Sequence, residues 1–199
     1  DLVPDRDWLE LVQLDILDTV QDTVLEGRRI IPVSARTGEG LDDLVASLTD
    51  LLEHLPPRPD VGQPRLPIDR VFTISGFGVV VTGTLLGGGL SVGQEVEIQP
   101  AGVRARIRGL QSHEQQMERV ERGQRVAVNL RGVEKSDLAR GDVLGLPGAW
   151  HPTTLIDARL RYLPEAHRPL EHDDEVKLFT GAAEVMARVR LLDRDQVLP

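Results

Sequence analysis

Cysteine is absent from the 199 residues, and aromatic residues make up only 3% of them. Without cysteine the chain forms neither a disulfide framework nor a Cys-ligated zinc site, which fits a reducing, cytoplasmic location. No apolar run approaches the roughly 20 residues of a membrane-spanning helix, so we expect no membrane partner. The scarcity of aromatic side chains argues against a surface that stacks on single-stranded RNA.

A phosphate-binding loop is also absent, since the pattern G-x-x-x-x-G-K-[ST] occurs nowhere. That loop holds nucleotide phosphates through its backbone N–H groups and lysine, and Mg²⁺ through its hydroxyl. No serine lies in a nucleophile-elbow sequence. The polar run His167 to Asp174 lacks the spacing of zinc ligands. We therefore predict no catalytic residue and no metal site in this chain.

The negative charge is unevenly distributed. Residues 1–57 contain 13 Asp and Glu against four Arg, whereas residues 58–199 contain 19 residues of each sign, so the net charge of −9 arises in the first part. An acidic chain is a poor general coat for nucleic acid. The shift near residue 57 indicates a domain boundary.

Residues 1–57 have the pattern of an α/β structure. Apolar residues at helical spacing predict a helix over Trp8–Val20, capped by Asp5, and a second helix over Leu41–His54. The apolar run Arg29–Ser34 between them predicts a strand. Because two helices cannot bury one strand alone, we expect this segment to be the end of a larger domain.

Three prolines in residues 56–59 predict a stiff connector. Short alternating or β-branched runs follow up to residue 147, which is typical of a closed β-barrel. They are residues 71–74, 79–84, 95–99, 104–108, 123–130 and 142–144. Further alternating runs at 155–162, 175–180 and 185–190 predict part of a second barrel over 148–199. The predicted domains are therefore 1–57, 58–147 and 148–199.

Four segments in this order resemble translational GTPases. Ile68–Thr84 is similar to the opening of the second domain, Gly123–Glu134 to a later strand of it, and Arg140–Leu144 to its end. Upstream, Ser34–Leu41 is similar to the last guanine-contacting element of the GTPase domain. The resemblance implies the end of a P-loop GTPase domain, a complete barrel (domain II) and part of another (domain III).

Two basic residues favour the selenocysteine-specific elongation factors (SelB) within that superfamily. Elongation factor Tu typically has an acid where this chain has Arg70 and a neutral amide where it has Arg125. The resemblance implies a longer parent that uses GTP and Mg²⁺ and delivers selenocysteinyl-tRNA to the ribosome. A messenger-RNA hairpin would bind only through regions absent here, and the fragment alone is expected to hold no cofactor.

Asp69, Arg70 and Arg125 are the candidate residues of the aminoacyl pocket that this resemblance implies. A selenol is a stronger acid than a thiol, so selenocysteine is anionic at neutral pH, and two guanidinium groups would favour it over serine. Asp69 would orient an arginine or accept a hydrogen bond from the α-amino group. On residue type alone, surface ion pairs of little energetic consequence are the better explanation.

Two further sets of residues are weaker candidates. The resemblance assigns Ser34 and Ala35 to the guanine base, with Asp1 as the base-specific aspartate, although Ser34 also suits an ordinary helix cap. Arg104, Arg106 and Arg108 alternate along one strand face and are candidate RNA contacts. A solvated strand face, with Glu95 and Glu97 opposite the arginines, is the better explanation.

Two other functions remain open from the sequence. One is a general elongation or initiation factor resembling elongation factor Tu, against which Arg70 and Arg125 count. The other is a non-catalytic protein-interaction barrel, which predicts no charge preference at those two positions.

Because the phosphate-binding loop is missing, we expect the 199-residue chain neither to bind GTP tightly nor to hydrolyse it. Titration calorimetry with Mg·GTP and phosphate release by the purified chain measure this, with an intact P-loop GTPase as the positive control. Turnover above the uncatalysed rate would contradict the prediction.

Overall fold

The computed structural model describes residues 6–56, 60–163 and 166–198. Its contacts divide the chain into two compact units, residues 1–57 and 58–199. Residues 57–59 of the predicted connector, and the predicted cap Asp5, lie outside the described residues. The division into three domains stays a prediction, since residues 58–199 form one unit.

The first unit contains two helices, α1 (Arg6–Thr19) and α2 (Leu41–His54). Helix α2 follows Gly40, which has a φ of 74° and lies so close to Pro32 that an added Cβ would be 2.1 Å from the Pro32 carbonyl oxygen. Only glycine fits such a site. None of the described helices is long and apolar enough to span a membrane.

The strand predicted over Arg29–Ser34 is wrong. These residues are extended, but they form no ladder with any described residue. A strand requires a hydrogen-bonded neighbour, and residues 6–56 supply none. Both helices likewise have no buried residue, although each has an apolar stripe.

The second unit is built around a closed barrel. Its six strands are β1 (Arg65–Ile74), β2 (Gly78–Thr84), β4 (Glu95–Gln99), β5 (Val103–Ser112), β8 (Arg125–Arg131) and β9 (Val143–Gly145), with β3 (Leu90–Ser91), β6 (Gln115–Met117) and β7 (Arg119–Val120) between them. The ring order is β4-β9-β1-β2-β8-β5, and the pairing of β5 with β4 closes it. Strand β6 pairs with β5 outside the ring, β3 pairs with β7, and a 3-10 helix covers Lys135–Asp137. The predicted fold class is confirmed.

The barrel interior is a single aliphatic core. Alternate residues of the barrel strands point inward and form this core. Among them are Leu66, Ile68, Val81, Ile107 and Leu144, each 0–1% exposed. Alternation of this kind is what a strand with one buried face requires.

Bulges interrupt the alternation on two strands. On β1 the pairing with β2 shifts between Ile68 and Arg70. The inward residues are Ile68 and then Val71, so Asp69 and Arg70 both lie on the outer side. On β5 the pairing with β8 shifts between Ile107 and Gly109. Arg108 is the extra residue there, and its side chain is exposed. A bulge adds one residue and re-aims side chains in this way.

The C-terminal segment contains two-stranded pairings among the described residues. Strand β11 (Glu175–Thr180) pairs with β12 (Ala183–Arg188), and β10 (Leu170–Glu171) with β13 (Gln196–Val197). The strand predicted over residues 155–162 is wrong, since it pairs with no described residue, and its Leu155 is 77% exposed.

A matched pair of glycines tests the barrel packing. A Cβ on Gly83 would lie 2.2 Å from the Pro67 carbonyl oxygen, whereas a Cβ on Gly109 would meet nothing nearer than 3.9 Å. We expect Gly83→Ala to lower the free energy of unfolding by about 1–3 kcal/mol and Gly109→Ala to change it by less than about 1 kcal/mol. Urea unfolding followed by circular dichroism measures both, and equal midpoints would contradict the prediction.

Candidate functional site

Two of the predicted pocket residues are joined by an ion pair on the outer face of the barrel. Arg125 begins β8 and donates to Asp69 on β1 with both terminal nitrogens, at 2.5 Å to Oδ2 and 2.9 Å to Oδ1. The Arg125 side chain is 56% exposed and the Asp69 side chain 25%. Two parallel bonds of this kind fix the guanidinium plane.

Thr82, which sequence reasoning missed, connects the two charges. It lies on β2, between β1 and β8, and its hydroxyl donates to Asp69 Oδ1 at 2.7 Å. Arg125 Nη2 lies 3.5 Å from the same hydroxyl oxygen. Threonine is common in strands, so no sequence signal distinguishes this one from its neighbours.

The ion pair shifts the pKa of both members. Hydrogen bonds from Arg125, and then from Thr82, hold the pKa of Asp69 below its ordinary value of 3.8, against the opposing effect of partial burial. The hydrogen bond to Asp69 raises the pKa of Arg125 further above its ordinary value. Both groups are therefore charged throughout the physiological pH range.

Arg70 lies beside this pair without joining it. The bulge turns it to the outer side next to Asp69, where it is exposed and makes no hydrogen bond or ion pair with the described residues. The charge of Arg70 also lowers the pKa of Asp69, but its effect is the smallest of the contributions. The structure thus brings the three predicted residues together, with Arg70 as the cation that has no carboxylate of its own.

One side of this site is apolar. Phe72 on β1 is directly opposite Val80 on β2, one outward position along from Arg70 and Thr82. Val80 is only 5% exposed although it lies outside the core cluster, and Phe72 is half-buried. A charge next to such a surface is less well hydrated than one in open solvent.

The residues predicted to contact guanine differ in their availability. The Ser34 N–H donates to Glu39 O at 2.9 Å, so it is already engaged in the turn before α2. The Ala35 N–H makes no hydrogen bond with residues 6–56 and fits a donor to a base. Asp1 lies outside the described residues.

The three arginines predicted to share a strand face do so. Arg104, Arg106 and Arg108 are exposed on β5, while Ala105 and Ile107 point into the core. The expected carboxylates are directly opposite, with Glu95 3.0 Å from Arg106 and Glu97 4.0 Å from Arg104.

The polar loop before β11 has a structural explanation. Asp174 accepts from the Glu171 N–H at 2.9 Å and from Arg168 at 2.8 Å, and these bonds lower its pKa. Among the described residues, no group of three or more His, Asp or Glu side chains is arranged to hold a metal ion.

Comparison with known proteins relates the barrel to a known domain. The family profile described as "Elongation factor Tu domain 2" matches residues 78–145. A selenocysteine-specific elongation factor of Desulfomicrobium baculatum is 42% identical over 195 residues, which cover 98% of this chain and 31% of that protein. The chain contains the second domain of the elongation factor Tu family and, over 98% of its length, is similar to a selenocysteine-specific elongation factor. The predicted resemblance is confirmed.

Other relatives agree on the fold and on the partial coverage. Elongation factor 1-alpha of Saccharolobus solfataricus is 33% identical over 165 residues, 70% of this chain and 37% of that factor. The apo elongation factor SelB of Methanococcus maripaludis has a TM-score of 0.76 at 24% identity, over 96% of this chain and 43% of its own. The structure of a bacterial selenocysteine-specific elongation factor has a TM-score of 0.77 at 24% identity, over 96% of this chain and 32% of its own. The chain spans between 31% and 43% of the length of these four proteins.

The order of the contributions to the Asp69 pKa gives a test by carboxyl NMR titration. We expect Arg125→Ala to raise this pKa most, Thr82→Val less and Arg70→Ala least, because their contributions fall in that order.

Since the pKa of Asp69 in the folded chain lies below 3.8, the stabilisation by the ion pair is complete above that pH. It is lost as the pH falls through the pKa of the folded state.

Asp174 is the internal control, because its partners are Glu171 and Arg168. Its pKa should be the same in all three variants. A larger effect of Arg70→Ala than of Arg125→Ala would show that Asp69 pairs with the other arginine in solution.

Proposed function

We propose that this chain is the part of a GTP-dependent elongation factor whose barrel holds the aminoacyl end of selenocysteinyl-tRNA on its way to the ribosome. The observation that carries the proposal is the outward cluster of Asp69, Arg70, Arg125 and Thr82. The 42% identity to a selenocysteine-specific factor supports it.

The cluster has one positive charge in excess. Asp69 neutralises one guanidinium, so a bound anion meets two arginines and one carboxylate rather than two free cations. Arg70 is therefore the principal partner of the substrate side chain, and the Asp69–Arg125 pair provides a fixed rim beside it. A fixed arrangement loses less conformational entropy on binding than two mobile side chains would.

A selenolate gains more at this site than the neutral side chain of serine. One charge pair at about 4 Å and an effective dielectric near 20 is worth roughly 4 kcal/mol before desolvation. If about 1.4 to 3 kcal/mol of this survives, the preference is about tenfold to a hundredfold. The apolar neighbours Phe72 and Val80 increase the share that survives, because they limit access of water.

The parent factor would use GTP and Mg²⁺, and this chain would supply only a small part of that site. The Ala35 N–H would donate to the guanine base, whereas the engaged Ser34 N–H would not. The nucleotide would switch the parent between states that bind and release the tRNA. The messenger-RNA hairpin would be bound by other regions of the parent.

A general aminoacyl-tRNA carrier is the second candidate, supported by the 33% identity to an elongation factor 1-alpha. That function needs no preference for an anionic side chain. The two candidates therefore differ in the role of Arg70.

Binding of selenocysteinyl-tRNA and seryl-tRNA to the intact factor distinguishes them. We expect the wild type to prefer the selenocysteinyl form. Arg70→Ala should reduce the preference about tenfold or more, because it removes the excess cation. Arg125→Ala should abolish it, because the released Asp69 carboxylate then neutralises Arg70.

Arg188→Ala is the matched control. Arg188 is 61% exposed and pairs with Glu175 at 3.2 Å, much as Arg125 pairs with Asp69. The control should leave the preference unchanged. Equal binding of both tRNAs to the wild type, with silent arginines, would favour the general carrier.

A further inference from the structure

The turn of the β11–β12 hairpin, residues 181–183, lies against the barrel. Its first residue, Gly181, has a φ of 58°. A Cβ on Gly181 would lie 3.0 Å from the Cβ and 3.2 Å from the Cγ of Pro67 on β1, so the turn already contacts the proline ring. Because Pro67 is two residues before Asp69, the hairpin turn contacts β1 just ahead of its bulge.

The hairpin turn also contacts a second segment of the barrel, the loop of residues 140–142 before β9. Gly141 in this loop has a φ of 99°, and a Cβ there would lie 3.0 Å from both the Cα and the Cβ of Ala183. Next to it, Arg140 Nε donates to the Ala182 carbonyl oxygen at 3.4 Å. The backbones approach this closely because Gly141 and Gly181 have no side chain at the contact.

Both of the contacted segments fix the backbone of Ile68, the last residue of β1 before the bulge. The Ile68 N–H donates to Asp142 O at 2.8 Å, and the Gly141 N–H donates to Ile68 O at 2.8 Å. Pro67, at the preceding position, pairs with Val143 on β9. The hairpin turn therefore contacts the chain on each side of the two hydrogen bonds that hold Ile68.

This support matters because a bulge is less well fixed than a regular ladder. The pairing of β1 with β2 shifts between Ile68 and Arg70, which makes Asp69 the extra residue. The direction of an extra residue depends on the backbone that leads into the bulge, since the ladder is disrupted at that point. Here that backbone is held by Pro67 and by the loop of residues 140–142 as well as by β2.

We infer that the hairpin turn, residues 181–183, positions Asp69 and Arg70 by holding Pro67 and Gly141 against the backbone that leads into the bulge. The consequence for specificity rests on the proposed function, in which Arg70 is the principal partner of the substrate side chain. The C-terminal segment then contributes to the aminoacyl pocket through the backbone of β1.

Two substitutions loosen this contact from different sides. Gly181→Ala places a methyl group 3.0 Å from the Cβ of Pro67, so that the turn or the strand must move. Arg140→Ala, on the barrel side, removes only the hydrogen bond to the Ala182 carbonyl oxygen. Gly148→Ala is the matched control for the first substitution, because Gly148 has a similar φ of 71° and a Cβ there would meet nothing within 4 Å.

Carboxyl NMR titration of the 199-residue chain measures the effect on Asp69. We expect Gly181→Ala to raise the pKa of Asp69 toward its ordinary value of 3.8, because a displaced bulge weakens the hydrogen bond from Arg125. Arg140→Ala should raise this pKa less, and the control variant should leave it unchanged. The pKa of Asp174, which lies just before β11, reports on the hairpin segment itself and should be the same in every variant.

An unchanged Asp69 pKa in both contact variants, or an equal rise in the control, would overturn the inference. If Gly181→Ala also shifts the pKa of Asp174, the hairpin itself has been altered. The result for Arg140→Ala then decides, with a rise at Asp69 supporting the inference and no rise overturning it.

The consequence for specificity is measured in the intact factor. Gly181→Ala should reduce the preference for selenocysteinyl-tRNA over seryl-tRNA about threefold, as expected when a charge pair moves from about 4 Å to about 5 Å. A raised Asp69 pKa with an unchanged preference would overturn the role in specificity. Equal binding of the two tRNAs to the wild type would instead contradict the proposed function, and the titration of Asp69 would still decide whether the hairpin turn positions the bulge.

Discussion

Closure of the six-strand barrel is the constraint on which the rest of the second unit depends. The pairing of β5 with β4 completes the ring, and every strand must then give alternate residues to one small aliphatic core. A residue next to an inward one faces outward, and its neighbour faces inward again. Two adjacent charged residues can therefore both face solvent only where a bulge resets the alternation, as it does at Asp69–Arg70.

The bulge on β1 also decides how the charges of the site combine. It places Asp69 within reach of Thr82 and Arg125 and turns Arg70 to the same side, unpaired. With regular pairing Arg70 would point into the core, where an arginine without a partner is very costly. The backbone irregularity and the residue types are thus consistent with each other, and the excess positive charge of the site follows from both.

Much of the fold could be predicted because it depends on local patterns. Helix α2 and strand β4 occur at the predicted bounds, since each has a full period of apolar residues between clear breaking residues. The runs at 29–34 and 155–162 have the same local signal and form no ladder, because a strand exists only with a partner. The Asp69–Arg125 contact joins residues 56 positions apart. The family resemblance pointed to both residues, while Thr82 could be found only from the strand register.

An acidic chain can carry anion-binding surfaces because charge acts locally. The excess of −9 arises in residues 1–57, and the barrel unit has equal numbers of each sign. At physiological ionic strength the Debye length is about 8 Å, so an exposed arginine responds to the few charges of its own and neighbouring strands. Arg70 lies on a strand whose carboxylate, Asp69, is already engaged by Arg125. The positions of the unpaired cations, rather than the net charge, therefore determine the local electrostatic potential of the barrel surface.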